Sequence, residues 1–369
     1  MAEKVLLAGV RLGAEDKERY LHSFDELRLL ARTAGGVVAG ELIQHRQSPD
    51  PKCFIGEGKV EEIKALAAES GATLVIFNEE LRPSQQKNLE DLLDIRILDR
   101  VGLILDIFSQ RARTGEARLQ VELAQYQYLL PRLTRMWTHF SQQSGYIGTR
   151  GPGETQLEVD KRRIGDRIRL LKKKTAEVHR HHTLLRTGRQ KKGMTTISLV
   201  GYTNAGKSTL MNALTRADVL VENKLFATLD PTVKQWYLPE LPSVVLTDTV
   251  GFIQRLPHLL VNAFKATQDE VVEADLLLHV IDASSPLEHE QIEAVFRVLE
   301  EIGAVNKPMV MVFNKIDQLS PARLQQLKSE AHPIGAPAVF ISALNGEGLD
   351  QLTSSVSKML SKATIQASS

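Results

Sequence analysis

The chain has a single cysteine, Cys53, so neither an internal disulfide nor a thiolate metal site can form. Long hydrophobic runs are missing too, and no stretch approaches the roughly 20 apolar residues that a membrane helix needs. Met1 to Gly13 hold only the short run Val5 to Val10 before Arg11, so a secreted protein is not expected. These absences predict a reducing, cytoplasmic setting with at most peripheral membrane association. An overall excess of one charge sign is lacking as well, since 46 Lys and Arg face 45 Asp and Glu. What is there, 369 residues of which 43% are hydrophobic and 25% charged, excludes a disordered or collagen-like chain and predicts two or three cored domains.

The balanced total hides a local asymmetry. Between Lys161 and Lys192 there are 13 basic residues, among them Arg162, Arg163, Arg167, Arg169, Lys172, Lys173, Lys174 and Arg180, opposed only by Asp166 and Glu177. The rest of the chain is acidic, with 33 basic and 43 acidic residues. A basic arm on an acidic body points to a polyanion partner, with a solvated helix face as the other reading.

Up to about Arg111 short β-rich runs alternate with helical ones. Val5 to Val10, Val37 to Ile43, Thr73 to Phe77 and Ile95 to Leu98 read as buried strands; Ser23 to Thr33, Lys59 to Glu69 and Pro83 to Leu93 have helical spacing. This alternation predicts a small parallel α/β domain over residues 1–111. Gly35-Gly36 and Gly56-Glu57-Gly58 fall at junctions where turns need positive φ. Residues 112–192 carry two apolar stripes with heptad spacing, Leu119 to Trp137 and Ile164 to Leu185, which suit an antiparallel helical hairpin. Between them Phe140 to Gly153 contains Gly145, Gly148, Gly151, Pro152, Gly153 and Arg150, a glycine-rich tip suited to an irregular RNA surface. Gly188 to Gly193 reads as a polar linker. Over residues 193–369 a second α/β domain is expected, with strands at Thr196 to Val200, Ser243 to Leu246, Leu276 to Ile281, Met309 to Phe313 and Ala338 to Ile341, and a last helix from about Leu349 to Leu360.

The chemistry sits in this second domain. Strand Thr196 to Val200 feeds Gly201-Tyr202-Thr203-Asn204-Ala205-Gly206-Lys207-Ser208, a phosphate loop that opens a helix. Its backbone amides wrap phosphates at the helix N-terminus, Lys207 reaches the β and γ oxygens, and Ser208 offers its hydroxyl to Mg2+. Asn314-Lys315-Ile316-Asp317 ends the strand Met309 to Phe313. The Asp317 carboxylate can accept from the ring N–H and the exocyclic amine of guanine, a donor pair that adenine lacks, so GTP is the expected substrate. Asn314 should brace the loop and meet the base's other edge, the Lys315 stem should cover the ring, and Ser342-Ala343-Leu344 should place a backbone N–H at the guanine carbonyl. Asp248-Thr249-Val250-Gly251 supplies a carboxylate that holds the ion through water and the Gly251 amide that senses the γ-phosphate. Phe226-Ala227-Thr228-Leu229-Asp230-Pro231-Thr232 supplies a switch threonine that ligates the metal. Thr228 and Thr232 are both in range, and Thr228 is favoured by its place 20 residues after Ser208.

With these motifs the chain resembles the HflX family, translational GTPases of the Obg-related group. The resemblance is carried by Phe54 to Lys59, Asp99 to Asp106, Leu119 to Ala124, and above all by Gly148 to Glu158 and Phe226 to Thr232. It implies an α/β N-terminal domain, a helical hairpin and a Ras-like P-loop GTPase domain. It also implies binding to the large ribosomal subunit and its RNA, and a role in separating stalled ribosomes under stress. Ser144-Gly145-Tyr146 and Met136-Trp137-Thr138-His139 depart from the commonest family pattern, and the chain ends 25 residues after Leu344, without the further C-terminal domain that many relatives carry. Asn204 resembles the asparagine with which potassium-stimulated relatives hold K+, its other reading being a loop-bracing hydrogen bond. Phe252 stands where Ras-like proteins keep a water-orienting glutamine, so slow hydrolysis by the free protein is expected. The expectation is a monomeric GTPase whose catalytic groups are Lys207, Thr228 and Gly251. The alternatives are a GTP-gated RNA-binding module with negligible turnover, or a GTPase of large-subunit maturation or RNA modification.

Overall fold

The structure is a computed structural model that describes residues 3–13, 15–136, 156–191, 194–215, 225–226, 228–229, 232–238, 244–253, 265–330 and 336–367. The chain forms two compact units, Met1–Ala176 and Glu177–Ser369.

The first unit begins with β1 (Lys4–Leu12), α1 (Lys17–Thr33), β2 (Val37–Arg46), α2 (Glu57–Ser70), β3 (Leu74–Phe77), α3 (Pro83–Leu93), β4 (Arg96–Asp99) and α4 (Arg100–Arg111). The four strands are parallel in the order β2-β1-β3-β4, as the alternation predicts, but edge strand β2, expected to be buried, has no buried residue and alternates between exposed and half-buried positions. Leu6, Ala8, Val10, Val75, Phe77 and Ile97 of the sheet pack with Ile63 and Leu89 of the helices. Local chemistry fixes the helix starts. Asp16 accepts from the Arg19 amide at 2.9 Å, so α1 begins at Lys17, ahead of Ser23. Pro83 opens α3 and Gln85 closes a capping box on the Arg82 amide.

One expectation fails here. Gly35 has φ +94°, but Gly56 is extended and Gly58 lies inside α2; positive φ falls on Phe54 instead. Helix α4 buries Arg100 to Leu105, Ile107 and Phe108, and its exposed Asp106, Ser109 and Gln110 come only in its second half.

Helices α5 (Gly115–Met136) and α6 (Gln156–Lys191) follow. Of the expected stripe of α6, Ile168 and Leu171 are buried and Ile164, Thr175 and Val178 are half-buried. That of α5 is only half-buried at Leu119, Leu123, Tyr126 and Leu130; the face buried most deeply is Ala117, Gln120, Val121, Ala124 and Tyr128, which serves α3 and α4. Arg167 of α6 reaches back to Glu122 of α5. Gly188 to Lys191, expected as linker, belong to α6, since nothing in that polar run stops a helix. Trp137 and the loop Phe140 to Gly153 lie outside the described residues.

The second unit contains β5 (Thr195–Gly201), α7 (Lys207–Thr215), β6 (Thr232–Trp236), β7 (Val244–Asp248), β8 (Leu276–Asp282), β9 (Met309–Asn314) and β10 (Ala338–Phe340), with helices Lys265–Val272, Glu288–Glu301, Pro321–Glu330 and Leu349–Ala367. The sheet order is β10-β9-β8-β5-β7-β6, with only β6 antiparallel. Strand β6 has no sequence signature because three of its five residues are exposed. Alternate residues of β5 and β8 face opposite apolar layers: Ile197, Leu199, Leu278 and Val280 on one side, Val200, Leu277 and Ile281 on the other. This is a doubly covered, mostly parallel sheet, and the motifs fall at the carboxyl ends of β5, β7, β9 and β10.

Candidate active site

The loop from Gly201 to Gly206 wraps the start of α7, whose first residue is Lys207. Close approach dictates its glycines. A Cβ on Gly206 would lie 2.3 Å from Asn314 Nδ2, and one on Gly251 would lie 2.9 Å from both Lys207 Nζ and the Thr203 backbone. Lys207 is buried and donates from Nζ to the carbonyls of Gly201 and Tyr202 at 3.0 and 2.8 Å. Burial pulls its ammonium down to about 8, against the opposing pull of the Asp248 carboxylate.

Three oxygens from three separate segments meet beside it. Ser208 Oγ donates to Asp248 Oδ2 at 2.6 Å, Thr228 Oγ1 donates to the same oxygen at 3.1 Å, and the two hydroxyls stand 2.8 Å apart. Asp248 is wholly buried; burial pushes its carboxyl up, while Lys207, Ser208 and Thr228 pull it down. Its second oxygen, Oδ1, is buried with no hydrogen-bond partner. A hydroxyl pair and a carboxylate with an unused buried oxygen suit a hard cation, so the residues fit Mg2+. When bound with a nucleotide, that ion supplies neutralisation of phosphate charge.

The tertiary structure separates the two threonines. Buried Phe226 and Leu229 anchor the chain on either side of Thr228 and deliver it to Ser208. Thr232 instead begins β6, where it pairs in register with Asp248 of β7. Ala227 and Asp230 lie outside the described residues. Thr249 is buried and its hydroxyl donates to the Leu199 carbonyl at 2.6 Å, while Val250 is half-buried. The ring of Phe252 is buried in the apolar layer with Val200, Val271 and Leu277. Its backbone bonds to Gly201 and Thr203, so that side chain cannot orient water.

At the base-binding end, Asn314 Nδ2 donates to the Ala205 carbonyl at 2.9 Å and Asn314 Oδ1 accepts from the Ala343 amide at 2.9 Å. Asn314 thus ties the phosphate loop to the Ser342-Ala343-Leu344 loop with both ends of its amide. The loop-bracing half of the expected role is thus in place, and the amide keeps a second N–H and a second lone pair for a base edge. Ser342 is buried and Leu344 is 77% exposed. The Asp317 carboxylate is exposed, on the short 3-10 turn Ile316–Gln318, and is not hydrogen-bonded to any described residue. Lys315 has φ +68°, and its Nζ lies 2.6 Å from Asp282 Oδ2 at the end of β8. Sequence reasoning missed Asp282, although Asp282-Ala283-Ser284 directly after an apolar strand carries the signature of an Asx turn.

The basic arm is also in place. Around buried Ile168 and Leu171, the side chains of Arg163 and Arg169 are 73% and 78% exposed, and Lys172, Lys173, Lys174 and Arg180 are exposed too. Among the described residues, Arg163 pairs with Asp160 and Arg169 with Asp166, both acidic neighbours on their own helix. Among the described residues there is no cluster of His, Cys, Asp and Glu that could hold a metal, and no helix long and apolar enough to cross a membrane.

The chain is similar to known proteins. Residues 21–109 match the family described as GTP-binding GTPase N-terminal, residues 111–189 its middle region, and residues 196–315 the 50S ribosome-binding GTPase family. The GTPase HflX of Caldanaerobacter subterraneus subsp. tengcongensis is 49% identical over 98% of this chain and 82% of its own length. That of Flavobacterium psychrophilum is 47% identical over 96% of this chain and 89% of its own. That of Escherichia coli is 46% identical over 95% and 82%. A solved structure of a GTP-binding protein from Sulfolobus solfataricus in complex with GDP is 26% identical over 98% of this chain and 99% of that one, with a TM-score of 0.47.

Proposed function

The chain belongs to the HflX family of GTPases, and on that premise we propose that it binds the large ribosomal subunit through ribosomal RNA, hydrolyses GTP there and separates stalled ribosomes under stress. The observation that carries this reading is the run of exposed cations on α6, Arg163, Arg169, Lys172, Lys173 and Lys174, which spread around the helix outside its buried Ile168 and Leu171. Guanidinium and ammonium groups spaced along a stiff helix suit the phosphates of a folded RNA. The division of labour we propose follows the segments 1–111, 112–192 and 193–369: an α/β domain, a helical probe and the GTPase.

Within the GTPase, Gly201 to Ser208 cradle the phosphates and Lys207 bridges β and γ. Ser208 and Thr228 ligate Mg2+, Asp248 holds it through water, and Gly251 senses the γ-phosphate. Asn314 to Asp317 with Ser342 to Leu344 select guanine. Thr228 can sense the γ-phosphate only while Phe226 and Leu229 stay seated, so a segment closing over GTP and releasing after hydrolysis gives the protein two RNA-binding states. With Phe252 turned into the core, activation must come from the ribosome, from K+ at Asn204, or from both. We take the protein to act as a monomer in the cytoplasm.

Sedimentation of the protein with purified ribosomes tests this directly. With a non-hydrolysable GTP analogue it should travel with large subunits and lower the share of whole ribosomes; with GDP it should remain near the top. Equal binding in both states, or intact ribosomes throughout, defeats the proposal.

A further inference from the structure

Asp282 has no part in the motifs that define the guanine site, yet it holds one of them. It is the last residue of β8 and pairs in register with Asn314, the last residue of β9. Its Oδ1 accepts from the Ser284 hydroxyl at 2.6 Å and the Ser284 amide at 3.0 Å, which fixes the plane of the carboxylate. The other oxygen, Oδ2, meets Lys315 Nζ at 2.6 Å. Lys315 is held from behind as well: its backbone is left-handed, and the next amide, Ile316, donates to the Ile341 carbonyl at 3.2 Å. A flexible four-carbon stem is therefore pinned at both ends.

We propose that Asp282 is a positioning residue for guanine nucleotides, which acts by holding the Lys315 stem as a preformed wall for the base. The proposal rests on the reading of Asn314 to Asp317 as the base site and adds a residue to it. An unrestrained lysine stem loses rotamer freedom when a base packs on it, and that loss weakens binding. A stem already ordered by an ion pair carries no such loss at the moment of binding. The pair is only partly exposed, 18% for Asp282 and 21% for Lys315, so solvent screens it incompletely. Stapling β8 to β9 is a sufficient purpose only if those strand ends lack other bonds, and the Ala283 amide already donates to the Asn314 carbonyl at 2.9 Å.

Equilibrium titration and stopped-flow release of a fluorescent GDP from the full chain test this with Asp282→Asn, Lys315→Ala and the double variant. Asp282→Asn keeps the bonds to Ser284 and loses the charge, and it should weaken GDP roughly tenfold, mostly through faster release. The double variant should bind no worse than Lys315→Ala alone, because the carboxylate has nothing left to hold. Ser284→Ala, which frees the carboxylate plane while keeping its charge, should lose less affinity in the same direction and remains informative if Asp282→Asn folds poorly. Unchanged affinity in Asp282→Asn and Ser284→Ala, or additive losses in the double variant, overturns the proposal. Asp317→Asn separates the two readings: if it loses its preference for GDP over ADP while Asp282→Asn is silent, the base site stands and only the role of Asp282 falls.

Discussion

The Tyr128 hydroxyl of α5 donates to Asp99 Oδ1 at 2.8 Å, which joins a helix of the middle segment to the last strand of the N-terminal sheet. Asp99 is fully buried and accepts further from the amides of Gly102 and Leu81 and from Arg132 Nη2, at 2.8, 3.1 and 2.9 Å. The Arg132 guanidinium lies 3.5 Å from the centre of the Tyr128 ring. One carboxylate therefore caps α4, fixes the approach to α3 and docks α5.

Replacing Asp99 with Ala strands a buried guanidinium and should cost roughly 3–5 kcal/mol, while Tyr128→Phe should cost about 1 kcal/mol. Urea unfolding of the two variants measures this. Equal, small losses would mean that α5 is held by apolar packing alone.

Thr228 and Thr232 should differ sharply in function. Thr228→Ala removes a hydroxyl from the Ser208 and Asp248 cluster and should weaken a GTP analogue in Mg2+ while leaving GDP affinity much as it was. Thr232→Ala alters a strand residue and should change neither by more than a small factor. Titrations of both variants with both nucleotides decide it, and the reverse pattern would move the switch to Thr232.

Lys207 should take up a proton when nucleotide binds. Its folded value of about 8 lies below the ordinary 10.5, so between those values the unfolded chain holds more protons and the nucleotide-free protein gains stability as pH rises. Phosphate oxygens favour the charged form, so binding should erase that gain. Calorimetry of GDP binding at about pH 8.5, in buffers of different ionisation enthalpy, should reveal proton uptake. Heats independent of the buffer would mean the ammonium is charged throughout.

Replacing Lys172, Lys173 and Lys174 with Ala should weaken binding to large subunits and flatten its salt dependence, by up to about 0.7 to 0.9 in log-log slope for each phosphate left without its lysine. An identical slope would assign these lysines to solvent.

Asn204 is exposed at the tip of the phosphate loop with φ +62°. If it holds K+, exchanging K+ for Na+ at constant ionic strength should slow the free enzyme, and Asn204→Ala should abolish the difference. Fast turnover in Na+, unaltered by large subunits, would require a water-positioning group outside these motifs.

Sequence alone determined the elements whose signal is local. Gly201 to Ser208 lies between an apolar strand and a helix, so its eight residues state their own chemistry, and Asn314 to Asp317 does the same at a strand end. The parallel sheet of the first unit was legible because short β-rich runs alternate with amphipathic helices, although β2 proved to be an unburied edge strand, and the basic arm because charge needs no fold to be counted. Only tertiary structure decided what depends on pairs far apart in the chain. Spacing from Ser208 favoured Thr228 over Thr232, but the hydroxyl contact itself depends on buried Phe226 and Leu229 and on β6, which takes Thr232 into the sheet. The bonds from Asp282 to Lys315 and from Tyr128 to Asp99 span 33 and 29 residues, and a single sequence records periodicity along the chain but not which distant groups close upon each other. Burial hid the start of α4, since Arg100 to Leu105 are all enclosed and such a stretch has no polar face to mark its period.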